Sequence, residues 1–278
     1  MIIDQSTNIY GIVGFPLGHS LSPSMHNSAF AASGLNAVYL AFETNDLAGC
    51  IRGIRAFGIR GISVTLPHKS AVISHLDEVD DLAKKIGAVN TIVNVNGHLV
   101  GYNTDALGAL KALEEKIQLS GKICIVVGAG GAARAIGFIL KQKGVKLKVA
   151  NRSPERGLEL ANFLACPYLA LDDLVAEDAD ILIQATSVGM TPGDNACPVT
   201  EHVLREGMLV MDIIYNPIET RLLKIAKSRG CLTINGLGMF IHQGAEQFRL
   251  WTGMDPPFSA MIGAVEQSLM KGPQTNNR

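Results

Sequence analysis

Lys122-Ile123-Cys124-Ile125-Val126-Val127-Gly128-Ala129-Gly130-Gly131-Ala132-Ala133 is the stretch on which the reading of the fold turns. Its first half is a continuous apolar run behind a single lysine. Such a run suits a parallel strand buried on both faces, where no alternate position has to meet water. Its second half fits Gly-x-Gly-x-x-Ala and opens a helix expected over Gly130–Lys143. In that pattern the first glycine allows a tight turn. The second lets backbone approach a pyrophosphate, and the third position, Ala133, keeps helix and strand close. Free N–H groups and the positive end of the helix dipole then face the phosphates. Gly128, Gly130, Gly131, Ala132 and Ala133 are therefore candidate cofactor-binding residues. A tight turn with no ligand is the competing reading, and the strand and helix on either side weigh against it.

Toward the C-terminus the next strand is expected over Lys146–Ala150. About 20 residues past the glycines, an NAD-binding chain would place an acid for the ribose hydroxyls. This chain instead has Asn151-Arg152-Ser153, with Arg156 one turn further. Guanidinium forks and a hydroxyl suit a 2′-phosphate, although Glu155 between them partly offsets the charge. Ile181–Ala185, Leu209–Ile213 and Leu232–Ile234 continue the alternation of strand and helix, which argues for a parallel sheet with helices on both faces. Thr186, Ser187 and Val188 follow the first of these, where open α/β sheets place ligands. Gly238–Trp251 and Pro257–Met270 are expected as helices, and the polar tail Gly272–Arg278 as a frayed end.

Toward the N-terminus, strands are expected at Ile9–Val13, Ala37–Phe42 and Gly61–Val64. Helices are expected at Ser22–Ser33, with Pro23 at its first position, and at Asp46–Phe57. Thr91–Val95 and His98–Val100 flank Asn96-Gly97, a strong hairpin signal. A further helix is expected over Leu107–Glu115, and a new unit opens near Asp105. Chemistry is expected where polar residues end strands. Ser63-Val64-Thr65-Leu66-Pro67-His68-Lys69 is one such place, with Pro67 suited to the first turn of a helix and Lys69 at a helix start, against the dipole. A residue that breaks a local rule is a candidate for function; a solvated lysine is the alternative. Gly87-Ala88-Val89-Asn90-Thr91 and Gly101-Tyr102-Asn103-Thr104-Asp105 also gather amide, hydroxyl and carboxylate groups. Asp105 beside Lys69 would tune the ammonium, and a helix N-cap is its competing role.

Composition narrows the partners. The 278 residues are 47% hydrophobic and 18% charged, with a formal net charge of −1. There is no basic excess to recruit nucleic acid or an anionic membrane. The five cysteines are widely spaced, with no Cys-x-x-Cys pair, so neither disulfides nor zinc are expected, and a reducing cytoplasm fits. No histidine motif suggests a metal. The N-terminus carries Asp4 and no basic segment, unlike a signal peptide. From Gly11 to Phe42 there is no Asp, Glu, Lys or Arg. Pro16, Pro23 and several serines break that run, so it is expected to line a pocket rather than span a membrane.

Taken together and in order, GFPLGHSLSPSMHN (14–27), SVTLPHK (63–69), GAVNT (87–91), GYNTD (101–105), GAGGAAR (128–134), NRSPER (151–156), ATSVGM (185–190), DIIYNP (212–217) and NGLGMFIHQGAEQF (235–248) resemble the shikimate dehydrogenases over nearly the whole chain. The resemblance implies two α/β domains with a cleft between them, the second a Rossmann-like doubly wound parallel sheet. Residues 1–104 plus 239–278 would form the substrate domain and 105–238 the NADP domain. It implies reversible NADPH-dependent reduction of 3-dehydroshikimate to shikimate, with Lys69 and Asp105 as the acid–base pair. Ser20 and Ser22 would hold the substrate carboxylate. Thr65, Asn90, Asp105 and Gln243 would hold ring hydroxyls, and Tyr215 would lie close by. Ile213, Gly236 and Met239 join the cofactor set. The protein would be a monomer or homodimer. Ser63 departs from the Asn frequent in the family, and is expected to reach substrate less directly or through water. An NAD-dependent quinate or shikimate oxidiser, and a non-catalytic sensor of such acids, are the other readings.

Overall fold

The computed structural model describes residues 3–18, 20–174 and 179–270; the tail at Gly272–Arg278 lies outside them. In chain order the elements are β1 (Asn8–Gly14), α1 (Ser22–Ala32), β2 (Ala37–Glu43), α2 (Leu47–Ala56), β3 (Gly61–Val64), β4 (Glu78–Val79), α3 (Asp81–Ile86), β5 (Thr91–Val95), β6 (His98–Tyr102) and α4 (Asp105–Glu114). They continue with β7 (Ile123–Val127), α5 (Gly131–Gln142), β8 (Lys146–Asn151), α6 (Pro154–Leu164), β9 (Tyr168–Ala170), β10 (Ile181–Gln184), β11 (Leu209–Asp212), α7 (Arg221–Ser228), β12 (Leu232–Ile234), α8 (Gly236–Thr252) and α9 (Phe258–Met270). Two compact units result: Met1–Thr104 with Gln243–Arg278, and Asp105–His242.

The first unit is built on a sheet of order β2-β1-β3-β5-β6-β4. β1 pairs parallel with β2 and β3, while β5 runs antiparallel to both β3 and β6. The hairpin turns at Asn96 and Gly97, whose φ values are 53° and 91°, as a two-residue primed turn requires. One face buries Val13, Ile51, Ile54, Ile62, Val64, Ile92 and Leu99. Tyr10 makes aromatic contacts with both Phe30 and Trp251, and Phe30 and Phe248 are wholly buried. Asp46 caps α2 by accepting from the Gly49 N–H, and α9 packs on α1.

The second unit is an all-parallel sheet of order β12-β11-β10-β7-β8-β9. Renumbered from β7, this is the 3-2-1-4-5-6 order of doubly wound sheets. Ile125 and Val127 face one core with Leu182, Val210 and Leu222. Cys124 and Val126, at the alternate positions, are also wholly buried, which is why the run is apolar throughout. Thr220 caps α7 by accepting from the Leu223 N–H.

Candidate active site

In the first unit the polar residues collect at one edge of the sheet, at the carboxyl ends of β1, β2 and β3. Antiparallel β5 begins at the same edge, because Ser63 stands opposite Thr91 and Thr91 opposite Tyr102. Backbone bonds stitch the loops together. Phe15 N–H donates to Leu66 O at 2.9 Å, Thr65 N–H to Val13 O at 2.9 Å and Thr44 N–H to Gly14 O at 3.0 Å. Gly14 permits this approach: a Cβ there would lie 2.3 Å from Thr65 Cγ2. Side chains add two ties. Glu43 accepts from Leu17 N–H at 2.6 Å, and His68 Nε2 lies 2.8 Å from Thr44 O.

Two readings need correction here. Pro67 and Lys69 do not open an α-helix. They lie in a turn with a cis Leu66–Pro67 bond, and only a short 3-10 segment, Ala71–His75, follows. Leu66 O is occupied by Phe15 N–H, so the chain is held in the turn and the dipole argument for Lys69 lapses. Second, Asp105 is not an N-cap. It is helical itself, in the first turn of α4, and buried. A carboxylate there still complements the dipole. Ser63, expected to reach substrate less directly or through water, turns its hydroxyl inward. The side chain is buried between Tyr39 OH at 2.6 Å and Gln247 Oε1 at 2.9 Å.

Lys69 is half-buried, and its carbonyl accepts from Val89 N–H at 2.8 Å, which sets it beside Asn90. Asn90 is buried. Its Oδ1 accepts from Thr104 N–H at 2.7 Å, and its Nδ2 lies 2.9 Å from Thr104 Oγ1 and 3.5 Å from Gln243 Oε1. The serine pair stands at the start of α1. Ser20 Oγ accepts from Ser22 N–H at 3.4 Å, and the first turn holds no acid. That positive helix end favours an anion. Thr65, Lys69, Asn90 and Gln243 thus gather around one sheet edge of this unit. Asp105 and Tyr215 belong to the second unit, where Tyr215 stacks on Phe240 with ring centroids 4.3 Å apart.

In the second unit the switch of strand order falls between β7 and β10, and the loops after both strands meet there. Gly128 has φ +117°, and a Cβ on it would lie 2.8 Å from Thr186 Cγ2 and 3.0 Å from Ala185 O. No L side chain fits that turn. Gly130 has open space where its Cβ would be, the cradle a bound pyrophosphate needs. Ala133 is wholly buried between helix and sheet. The loop at Thr186–Val188 is curled by Gln184, which donates to Thr186 Oγ1 and Val188 O, both at 2.9 Å. Gln184, a polar residue ending an apolar strand, was a legible signal not used in the sequence reading.

Asn151 ends β8 and donates to Ser153 O at 2.9 Å, folding back the turn into α6. Arg152 and Arg156 are exposed, and no hydrogen bond or ion pair to either is found among the described residues. No acid occupies the strand end. Free guanidiniums beside a helix N-terminus fit a 2′-phosphate. Ile213 and Gly236 are also brought together: the Gly236 N–H donates to Ile214 O at 3.0 Å, and Met239 follows on α8. These residues fit a phosphorylated dinucleotide. Asp212, wholly buried at the end of β11, accepts from Ile214 N–H at 3.0 Å and Thr220 OH at 2.7 Å. Burial pushes its carboxyl up to about 6 against those bonds. Among the described residues no cluster of His, Cys, Asp or Glu is built to hold a metal, and no helix is long and apolar enough to cross a membrane.

Fold and loop geometry define a two-unit α/β protein with a Rossmann-type sheet. Family models match along it: a shikimate dehydrogenase substrate binding domain over residues 12–92, a shikimate/quinate 5-dehydrogenase over 110–225, and a shikimate 5′-dehydrogenase C-terminal domain over 236–266. A protein of Thermococcus kodakarensis named shikimate dehydrogenase (NADP(+)) is 47% identical over 271 residues, covering 96% of this chain and 98% of its own. A shikimate dehydrogenase crystallised with NADP+ superposes with a TM-score of 0.91 at 44% identity, over 96% of this chain and 98% of that one. A shikimate 5-dehydrogenase of Thermus thermophilus, crystallised with NADP(H) and shikimate, gives 0.88 at 40%, over 95% and 100%. The chain belongs to the shikimate dehydrogenase family.

Proposed function

We propose that this chain catalyses the reversible reduction of 3-dehydroshikimate to shikimate with NADPH. The observation that carries the cofactor choice is the end of β8, where Arg152 and Arg156 are exposed and make no hydrogen bond or ion pair among the described residues, and where the strand end itself carries no acid. The substrate choice is supported by the family, and by an edge that pairs a serine-flanked helix start with Thr65, Asn90 and Gln243. The unit Met1–Thr104 with Gln243–Arg278 takes the substrate, and Asp105–His242 takes the dinucleotide. Widely spaced free cysteines suit the reducing cytoplasm where we place it.

NADPH supplies the hydride when bound. Gly128, Gly130, Gly131, Ala132 and Ala133 would hold its pyrophosphate, and Asn151, Arg152, Ser153 and Arg156 its adenosine phosphate. Thr186, Ser187, Val188, Ile213, Gly236 and Met239 would seat the rest. Ser20 and Ser22 bind the substrate carboxylate, and Thr65, Asn90, Asp105 and Gln243 orient the ring hydroxyls, with Tyr215 beside the ring. The Lys69 ammonium gives its proton to the keto oxygen as the alcohol forms, and the neutral amine takes that proton back in the oxidative direction. Asp105 is the second member of the acid–base pair we assign. Purified protein given shikimate should generate absorbance at the reduced nicotinamide band with NADP and far more slowly with NAD. A preference for NAD with quinate, or binding without turnover, would overturn the reading.

A further inference from the structure

A buried polar chain lies behind Asn90, and its hub is a residue to which the proposed function gives no role. Gln247 is 1% exposed on α8, one turn beyond Gln243. Its Nε2 lies 3.3 Å from Asn90 O and 3.0 Å from Thr91 Oγ1. A backbone carbonyl can only accept, so the NH2 end of Gln247 must be the end facing β5. The Thr91 hydroxyl accepts from it and has one proton to give, with Asn90 Oδ1 2.8 Å away and Thr104 Oγ1, itself a donor or acceptor, farther off at 3.3 Å. Thr104 N–H, which can only donate, reaches the same Oδ1 at 2.7 Å. With its carbonyl so held, Asn90 turns its NH2 to Thr104 Oγ1 and, at the 3.5 Å limit of a bond, to Gln243 Oε1. That second proton is the one an incoming hydroxyl can take.

The other end of Gln247 is equally committed. Its Oε1 accepts from Ser63 Oγ at 2.9 Å, and Ser63 accepts from Tyr39 OH at 2.6 Å. His26 Nε2 lies 3.2 Å from the same oxygen. His26 is wholly buried and its Nδ1 has no hydrogen-bond partner among the described residues. Burial pushes its pKa down to about 3, so the ring stays neutral and gives its one proton to Gln247. We infer that Gln247 is a positioning residue: through Thr91, and beside the Thr104 N–H that reaches the same oxygen, it holds the direction of the Asn90 amide, and so the donor that a ring hydroxyl of the substrate meets. The inference rests on the proposed activity.

The test is steady-state kinetics of Gln247→Met and Thr91→Val, singly and together. Each single change is expected to raise KM for shikimate about tenfold, the scale of one buried hydrogen bond. KM for NADP should stay within about twofold, and the double variant should lose little more than either alone. Thr91→Ser should restore most of what Thr91→Val loses. A purely structural Gln247 would lower the melting temperature and leave KM for shikimate alone; that result, or additive effects, would overturn the inference. If Gln247→Met does not fold, Thr91→Val, which removes one hydroxyl, decides it. Absence of shikimate turnover by the unaltered protein would remove the proposed activity itself, whereas turnover with unchanged variant KM removes only the role of Gln247.

Discussion

Replacing Lys69 by alanine is expected to lower kcat by ~10²-fold or more, the usual contribution of a positioned acid–base group. Lys69 is half-buried and its loop is held by backbone bonds, so the melting temperature should barely move. A variant that keeps activity to within a few-fold would remove the lysine from the chemistry. Arg152→Ala should raise KM for NADP much more than KM for NAD, because only the former carries the phosphate its guanidinium meets; equal losses would contradict that contact. Both residues are candidates from the sequence because each stands out from its surroundings: a lysine after an apolar strand, and arginines where an acid is otherwise required. Asp105 was legible as a polar residue near a helix start, but its place inside the helix was not, since capping and first-turn positions share the same residue types. Ser63 was visible as a departure from the family pattern. Its inward hydroxyl was not, because Tyr39 and Gln247 are distant in sequence.

Elements differ in how far local chemistry decides them. The Asn96-Gly97 hairpin and the turn at Gly128 follow from backbone conformations that few residues tolerate. The turn at Leu66–Pro67 does not, since proline suits a helix start and a turn alike, and a bond from Phe15 decided between them. The connection from β11 to α7 offers a test at this level. Asp212 ties its two ends, accepting from Ile214 N–H and from Thr220, the cap of α7. Its carboxyl rises from 3.8 to about 6 through burial, with Cys197 its titratable neighbour. Between those values the native chain keeps a proton that the unfolded chain has lost. This carboxyl therefore makes stability fall as pH rises from about 4 to about 6, by on the order of 3 kcal/mol. Asp212→Asn should flatten that part of the profile. Denaturant midpoints of the two proteins at pH 4.5 and 7 provide the check, and parallel profiles would contradict a raised carboxyl.

Over the whole molecule, each ligand should leave its own footprint in amide exchange. NADP is expected to protect the segments around 129–134 and 152–156, and shikimate those around 20–22, 65–70 and 90–91, since binding stabilises the amides it orders. Protection by NADP confined to the segments assigned to shikimate would reverse the assignment of the two units. The alternation of strands and helices, the doubly wound class and the glycine turn could all be read from residue order, because burial on both faces of a strand and the need for an unhindered turn act over a few neighbouring positions. Strand order in the sheets, the edge that brings Thr65, Lys69, Asn90 and Gln243 together, and the chain from His26 through Gln247 to Asn90 came only from the folded structure. The last of these links residues 221 positions apart at its His26–Gln247 bond. No local preference specifies such a pairing; it exists because packing α8 against β3 and β5 brings buried donors and acceptors from distant parts of the chain within bonding distance.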